Sequence, residues 1–362
     1  MPLLIGLIGL PNVGKSTLFN ALTQGSADAS NYPFCTVEPN VGVVAVPDQR
    51  LRRLEALLHP ASCTPTAIQF VDIAGLVRGA SHGEGLGNQF LSHVREADAL
   101  VHVVRCFAQP QVVHVEGEVE PVRDVEIVQT ELMLADLETV EKAIPRLEKV
   151  VQTNPRAHEW LELEVLHRLA AALGRGSAVG DLGLSPEEKQ ALCPYPLLTA
   201  KPVLYLANVG EAEAAGSGPC FHRLAEALGQ ERVLAVSAQI EAEIAQLPAG
   251  ERGDFLTVLG LEEMGIDRLI RAGYRLLGLI TFYTVAHDKL QAWQLPAGTT
   301  APAAAGRIHT DMEQGFIRAE VASFQELAAA GSLARLREEG RLRTEGHDYV
   351  VQDGDVVHFL FR

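Results

Sequence analysis

Nine residues near the start constrain this chain more than any other feature: Gly9-Leu10-Pro11-Asn12-Val13-Gly14-Lys15-Ser16-Thr17. They fit the pattern G-x-x-x-x-G-K-[ST]. They stand between an apolar run that reads as a strand over 3–8 and a stretch that reads as a helix over 17–22. A strand, a glycine-bearing turn and a helix in that order curl successive backbone N–H groups around an anion. The positive end of the helix dipole points at the same place. Asn12, Val13, Gly14, Lys15, Ser16 and Thr17 are therefore expected to hold a nucleoside triphosphate. Lys15 would bridge β- and γ-phosphate oxygens, and the Ser16 hydroxyl would bind Mg²⁺. Such a loop requires a parallel sheet behind it, so the fold class follows from the motif: α/β, with a doubly wound, mostly parallel sheet.

The partners such a loop needs can be sought downstream. Val71-Asp72-Ile73-Ala74-Gly75 closes the strand expected over 67–72. A carboxylate at a strand's C-terminal end would hold Mg²⁺ directly or through water, which assigns Asp72 to the metal. Gly75 can present its N–H to the γ-phosphate and move when that group leaves. Between the two motifs, Thr36 in the loop-like segment 31–40 is the expected switch threonine and a further Mg²⁺ ligand. The position after Gly75, where many GTPases orient the attacking water with Gln, is Leu76, which cannot do so. His82 and His114 are candidates for that task by residue type. For each, a solvated loop histidine is the ordinary alternative.

Base recognition is expected where the strand over 202–207 runs into Asn208-Val209-Gly210-Glu211. GTPases carry N-K-x-D there, the Asp accepting from guanine N1–H and the exocyclic amine. Here Val209 replaces the Lys and Glu211 the Asp. Adenine N1 is an acceptor, so a carboxylate aimed at it is repelled. A longer Glu211 can turn away and leave Asn208 to the adenine N6/N7 edge, with Val209 as apolar contact. This favours ATP; a Glu211 that still reaches guanine remains the alternative. Ser237 and Ala238, after the strand over 232–236, should close the base site.

The rest of the chain reads as more than one core, which 362 residues at 47% hydrophobic content can supply. Met133, Leu137, Val140, Ile144, Leu147 and Val151 recur every three or four residues, as do Trp160, Leu163, Leu166, Leu169 and Leu173. Two antiparallel helices would bury these stripes on each other, making a helical hairpin over about 128–195. Pro145 inside the first stripe is expected to kink or break its helix. After about 275 the pattern changes to strands over 279–285 and 315–321, a helix over 324–336, and a hairpin of 349–352 with 356–361 around Asp353-Gly354. Cys35, Cys63, Cys106, Cys193 and Cys220 are scattered, with no C-x-x-C pair, so neither a disulfide framework nor a zinc site is expected. That usage, and the lack of any run approaching the about 20 apolar residues of a membrane span, point to the cytoplasm. A net charge of −16 argues against phosphate-backbone binding by the surface as a whole. It leaves room for a local patch, to which Arg307, Arg318, Arg335, Arg337, Arg341 and Arg343 could belong.

Taken together, segments 9–17, 31–40, 72–77, 83–91, 208–211, 305–311, 315–321 and 348–356 resemble the YchF/Obg-like ATPase family of P-loop NTPases, nearly end to end. The resemblance implies an OBG-type G domain over 1–277 that carries the helical insertion, then a TGS domain of β-grasp fold over 278–362. It implies ATP hydrolysis with Mg²⁺, Leu76 standing in for the usual Gln and His114 as the catalytic histidine. It also implies binding to the ribosome or its 50S subunit, through the TGS or helical domain; no membrane partner and a monomeric state are expected beside it. A GTPase of the same fold, or a nucleotide-gated binding module with incidental hydrolysis, stay open beside it. The segment 285–293 and His347 depart from the family's usual residues.

Overall fold

The computed structural model describes residues 3–24, 40–76, 86–109, 111–153, 159–248, 250–286 and 288–362. Thr36 and His82 lie outside them. The chain forms two compact units, one of 1–43 with 69–269 and one of 44–68 with 270–362.

The first unit is built on a sheet of order β2-β4-β1-β5-β6-β7, with β1 Leu4–Ile8, β2 Val41–Ala45, β4 Ala67–Asp72, β5 Ala99–Cys106, β6 Val203–Val209 and β7 Val233–Val236. The β1–β4, β1–β5, β5–β6 and β6–β7 pairs are all parallel. Every residue of β5 is buried, as a strand covered on both faces requires. The chain leaves β1 toward neighbours on both sides, so the loop after β1 sits at the point where strand order reverses. Ligands bind outside the strand ends at such a point.

The helical insertion packs as its stripes predict. Helix Pro121–Thr153 and helix Glu159–Leu173 share a core of Val140, Leu147, Val151, Leu163, Leu166 and Leu169, against which Met133, Leu137 and Ile144 rest. A fully buried Leu166 or Leu169 contributes about 2 kcal/mol. Two expectations fail here. Pro145 does not break its helix, which runs on through it, and Trp160 is half exposed rather than part of this core. Asp136 anchors the return of the chain to the sheet. Its Oδ1 accepts from Leu198 N at 2.7 Å, and its Oδ2 accepts from Thr199 N and Oγ1 at 2.8 and 2.6 Å.

The second unit carries a mixed sheet of order β11-β10-β12-β8-β9-β3, from β3 Ser62–Thr64, β8 Leu279–Ala286, β9 Lys289–Pro296, β10 Phe316–Ser323, β11 Arg343–Glu345 and β12 Asp355–Phe361. β8 and β9 form the hairpin, β12 runs parallel to β8 and antiparallel to β10, and helix Ala301–Ile308 packs into the same core; this is a β-grasp arrangement. The boundary differs from a simple cut at 278, because 44–68 joins this unit. Arg50 holds Asp353 through Nη1 at 2.7 Å and Nη2 at 3.2 Å, Tyr283 OH donates to Asp48, Leu51 and Leu54 pack on Tyr283 and Leu290, and β3 pairs with β9. The expected 349–352 strand is absent: Val350 makes one bridge to Thr300, and β12 pairs elsewhere. The expected 324–336 helix is two helices, Phe324–Ala330 and Leu333–Glu338. The first ends on Gly331 at φ 83°, and Ser332 caps the second.

Candidate active site

The loop after β1 wraps Lys15. This residue is only 7% exposed, and its Nζ donates to the carbonyls of Gly9 (3.2 Å) and Leu10 (3.0 Å). Burial lowers its pKa to about 8, the nearby Asp72 carboxylate opposing the shift. Gly14 must be glycine twice over. Its φ is 93°, and a Cβ there would stand 2.2 Å from Asn208 Nδ2. Asn12 also takes a left-handed conformation (φ 62°) at the apex, its Nδ2 donating to Val113 O at 3.2 Å.

Asp72, at the end of β4, comes to the start of the first helix. Ser16 Oγ donates to Asp72 Oδ2 at 2.6 Å, while the buried Asp72 Oδ1 has no hydrogen-bond partner among the described residues. A hydroxyl beside a carboxylate with an unsatisfied buried oxygen is a donor set suited to Mg²⁺. Gly75 lies against Pro11, so close that a Cβ would be 3.0 Å from Pro11 N. Leu76 N donates to Gly9 O at 3.2 Å, and its side chain is buried.

At the other end of the site, the strand ends of β5, β6 and β7 enclose a cavity of about 410 Å³. Gly14, Thr17, Asn208, Val209, Glu211, Ser237 and Ala238 line it. Asn208 is first a brace: Nδ2 donates to Val13 O at 2.8 Å, and Oδ1 accepts from Ala238 N at 3.0 Å. Val209 is buried, and Glu211 opens an exposed helical turn with its carboxylate held by no described residue. Phe107, Ala108 and Gln109 complete the wall, and the sequence reading missed them. Their signal was position: they directly follow a fully buried strand, where ligands of such sheets bind.

His114 is brought near but not into this space. It is 6% exposed, its Nδ1 accepts from Glu116 N at 3.1 Å, and its Nε2 lies 2.8 Å from Asp124 Oδ2. Since Nδ1 accepts, Nε2 carries the proton and donates to Asp124, which Arg123 also holds at 3.1 Å. The fold brings a disulfide to the same strand end, contrary to expectation: Cys106, the last residue of β5, is bonded to Cys220, with their Cα atoms 5.5 Å apart. The two are separated by 114 residues, so no spacing could announce the pair.

Comparison with known proteins agrees with this geometry. The chain is 48% identical to the ribosome-binding ATPase YchF of Bacillus subtilis over 100% of both chains, and 49% identical to that of Escherichia coli over 98% of both. The chain belongs to the YchF family. A family model described as 50S ribosome-binding GTPase matches 4–140, and the YchF GTPase C-terminal model, described as a protein of unknown function, matches 279–362. The solved Schizosaccharomyces pombe YchF GTPase covers 99% of this chain, with 97% of its own length matched, a TM-score of 0.88 and 34% identity. Relatives within the YchF family are thus named both ATPase and GTPase. The nucleotide-binding unit of this member is a P-loop nucleoside triphosphatase domain.

Proposed function

We propose that the chain hydrolyses ATP to ADP and phosphate with Mg²⁺, acting as a switch on the ribosome or its 50S subunit. The observation that carries the choice of base is the state of 208–211. The lysine that would cover guanine is a buried Val209, and no described residue holds the Glu211 carboxylate in place to receive guanine's donors. Phe107, Ala108, Val209 and Ala238 make the cavity apolar where a base would lie. Competing ATP and GTP against a labelled nucleotide tests this; a preference for GTP would make the chain a GTPase instead.

Ser16 and Asp72 would hold Mg²⁺, with Thr36 as the further expected ligand. When bound, the ion neutralises charge on the β- and γ-phosphates. Lys15 would exchange its two loop carbonyls for phosphate oxygens. The Gly75 N–H would face the γ-phosphate, and Leu76 keeps its place apolar, so basal turnover is slow. His114 would accept a proton from the attacking water only after leaving Asp124. Replacing it with Ala should lower turnover by about a hundredfold while sparing affinity.

The names of the bacterial relatives support the ribosome as partner. A basic RNA-facing patch gains less support. Arg335 and Arg341 pair with Glu339, Arg337 with Glu320, and Arg343 with Glu345 and Asp355, so RNA phosphates would have to displace these carboxylates. Cytoplasmic residence and a monomeric state belong to the same proposal. Among the described residues no helix is long and apolar enough to cross a membrane. Co-sedimentation with ribosomal subunits, with and without a non-hydrolysable ATP analogue, tests the partner; no binding in either state would remove it.

A further inference from the structure

One short segment after β5 touches three parts of the site. Phe107, Ala108 and Gln109 wall the base cavity, Val113 O receives the Asn12 side chain from the apex of the phosphate loop, and His114 follows. No strand ladder runs along this loop, and among the described residues its own backbone supplies one bond to the carbonyls of Phe107, Gln109 and Val112, from Val112 N to Gln109 O at 3.0 Å. Arg105, the penultimate residue of β5, also holds them. Its side chain turns along the loop, Nε donating to Phe107 O at 3.2 Å, Nη1 to Val112 O at 2.9 Å and Nη2 to Gln109 O at 3.3 Å. The guanidinium also lies 4.6 Å from the centre of the Phe107 ring, a cation–π contact. The residue is 3% exposed, and the Asp124 carboxylate acts on it through space. A buried cation spent wholly on backbone carbonyls of one loop is there to shape that loop.

We infer that Arg105 is a positioning residue for nucleotide selectivity: it sets the base wall through the carbonyls of Phe107, Gln109 and Val112. This rests on the reading that the cavity between β5, β6 and β7 holds the base. The guanidinium is a planar fork that spans three carbonyls at once. A lysine offers a point charge on a flexible stem and cannot span them. Arg105→Lys therefore keeps the charge and loses the shape. The wall moves, while the phosphate loop keeps Lys15, Ser16 and Asp72.

The experiment is calorimetric titration of wild type, Arg105→Lys and Phe107→Ala with ATP, GTP and inorganic tripolyphosphate, all with Mg²⁺. Tripolyphosphate engages the phosphate loop without a base. For Arg105→Lys, ATP affinity should fall about tenfold, the ATP-over-GTP preference should collapse toward one, and tripolyphosphate affinity should stay within about twofold. Phe107→Ala removes the wall and leaves the arginine, so it should give the same pattern. It decides the matter if Arg105→Lys does not fold. An equal loss of tripolyphosphate affinity would mean that Arg105 serves the fold at large and would overturn the inference. So would an unchanged ATP preference in both variants of a wild type that prefers ATP. A wild type without ATP preference would instead sink the reading of the base site.

Discussion

The two ends of the nucleotide site are built in different ways. At the phosphate end, every expected group on the described chain arises from two short stretches, 9–17 and 72–76, each hanging from its own strand. The groups there are tightly committed: Lys15 is buried on Gly9 and Leu10 carbonyls, Ser16 is bonded to Asp72, and Gly14 leaves no room for a side chain. At the end proposed for the base, the wall is collected from three strand ends far apart in sequence and surrounds about 410 Å³ of open space, with the Glu211 carboxylate free in solvent. Phosphate chemistry is invariant and tolerates one backbone solution. Base identity is a matter of which side chains line a space, and that can be changed without rebuilding the loop.

The sharpest test of this contrast is Lys15→Ala. It should cost about a hundredfold or more in affinity for ATP and GTP alike, since it removes charge-assisted bonds to the phosphates. Fluorescent-nucleotide titration reads it; a loss confined to ATP would break the separation of the two ends. Next, Asp72→Asn should weaken triphosphate binding about tenfold or more with Mg²⁺ and far less after chelation with EDTA, because the orphan Oδ1 matters only to a cation. An equal loss in both conditions would take Asp72 out of the metal site. At the base end, Val209→Lys combined with Glu211→Asp should move the ATP-to-GTP affinity ratio toward GTP by about tenfold, with little change in tripolyphosphate affinity. No shift in the ratio would mean that the base is chosen elsewhere.

The smallest effect is a pH dependence confined to the phosphate end. Lys15 is charged in the free protein below pH 8 and neutral above it, because burial lowers its pKa to about 8. Phosphate oxygens favour the charged form, so binding above pH 8 must take up a proton. ATP affinity should then fall as pH rises past about 8, by less than about tenfold over the first unit, and Lys15→Ala should flatten the profile. A flat wild-type profile would place the bound lysine outside the phosphates' reach.

Much of this was legible in residues alone. The strand, turn and helix of 4–24, and the strand that ends on Asp72, could be read because each depends on order along a few residues. The helical stripes could be read because a period of three to four residues is a local property, and the core of Val140, Leu147, Leu163 and Leu166 formed as their spacing required. Local reading failed where local signals were overruled. Pro145 stayed within its helix, whose neighbouring turns are packed in the hairpin core, and Gly331 split a helix that composition alone would have continued.

What only the tertiary structure decided lies between segments distant in sequence. It bonded Cys106 to Cys220, brought Phe107 to the cavity beside Asn208 with Arg105 bonded to its carbonyl, locked His114 onto Asp124 and gave 44–68 to the second unit. The physical reason is one of range. Backbone conformation and amphipathic period are properties of neighbours in the chain, so the sequence alone determined the loop that grips phosphate and the helices that pack. A cavity wall, a crosslink or a buried side-chain hydrogen bond is a property of neighbours in space, and those exist only once the strands have taken their order in the sheet.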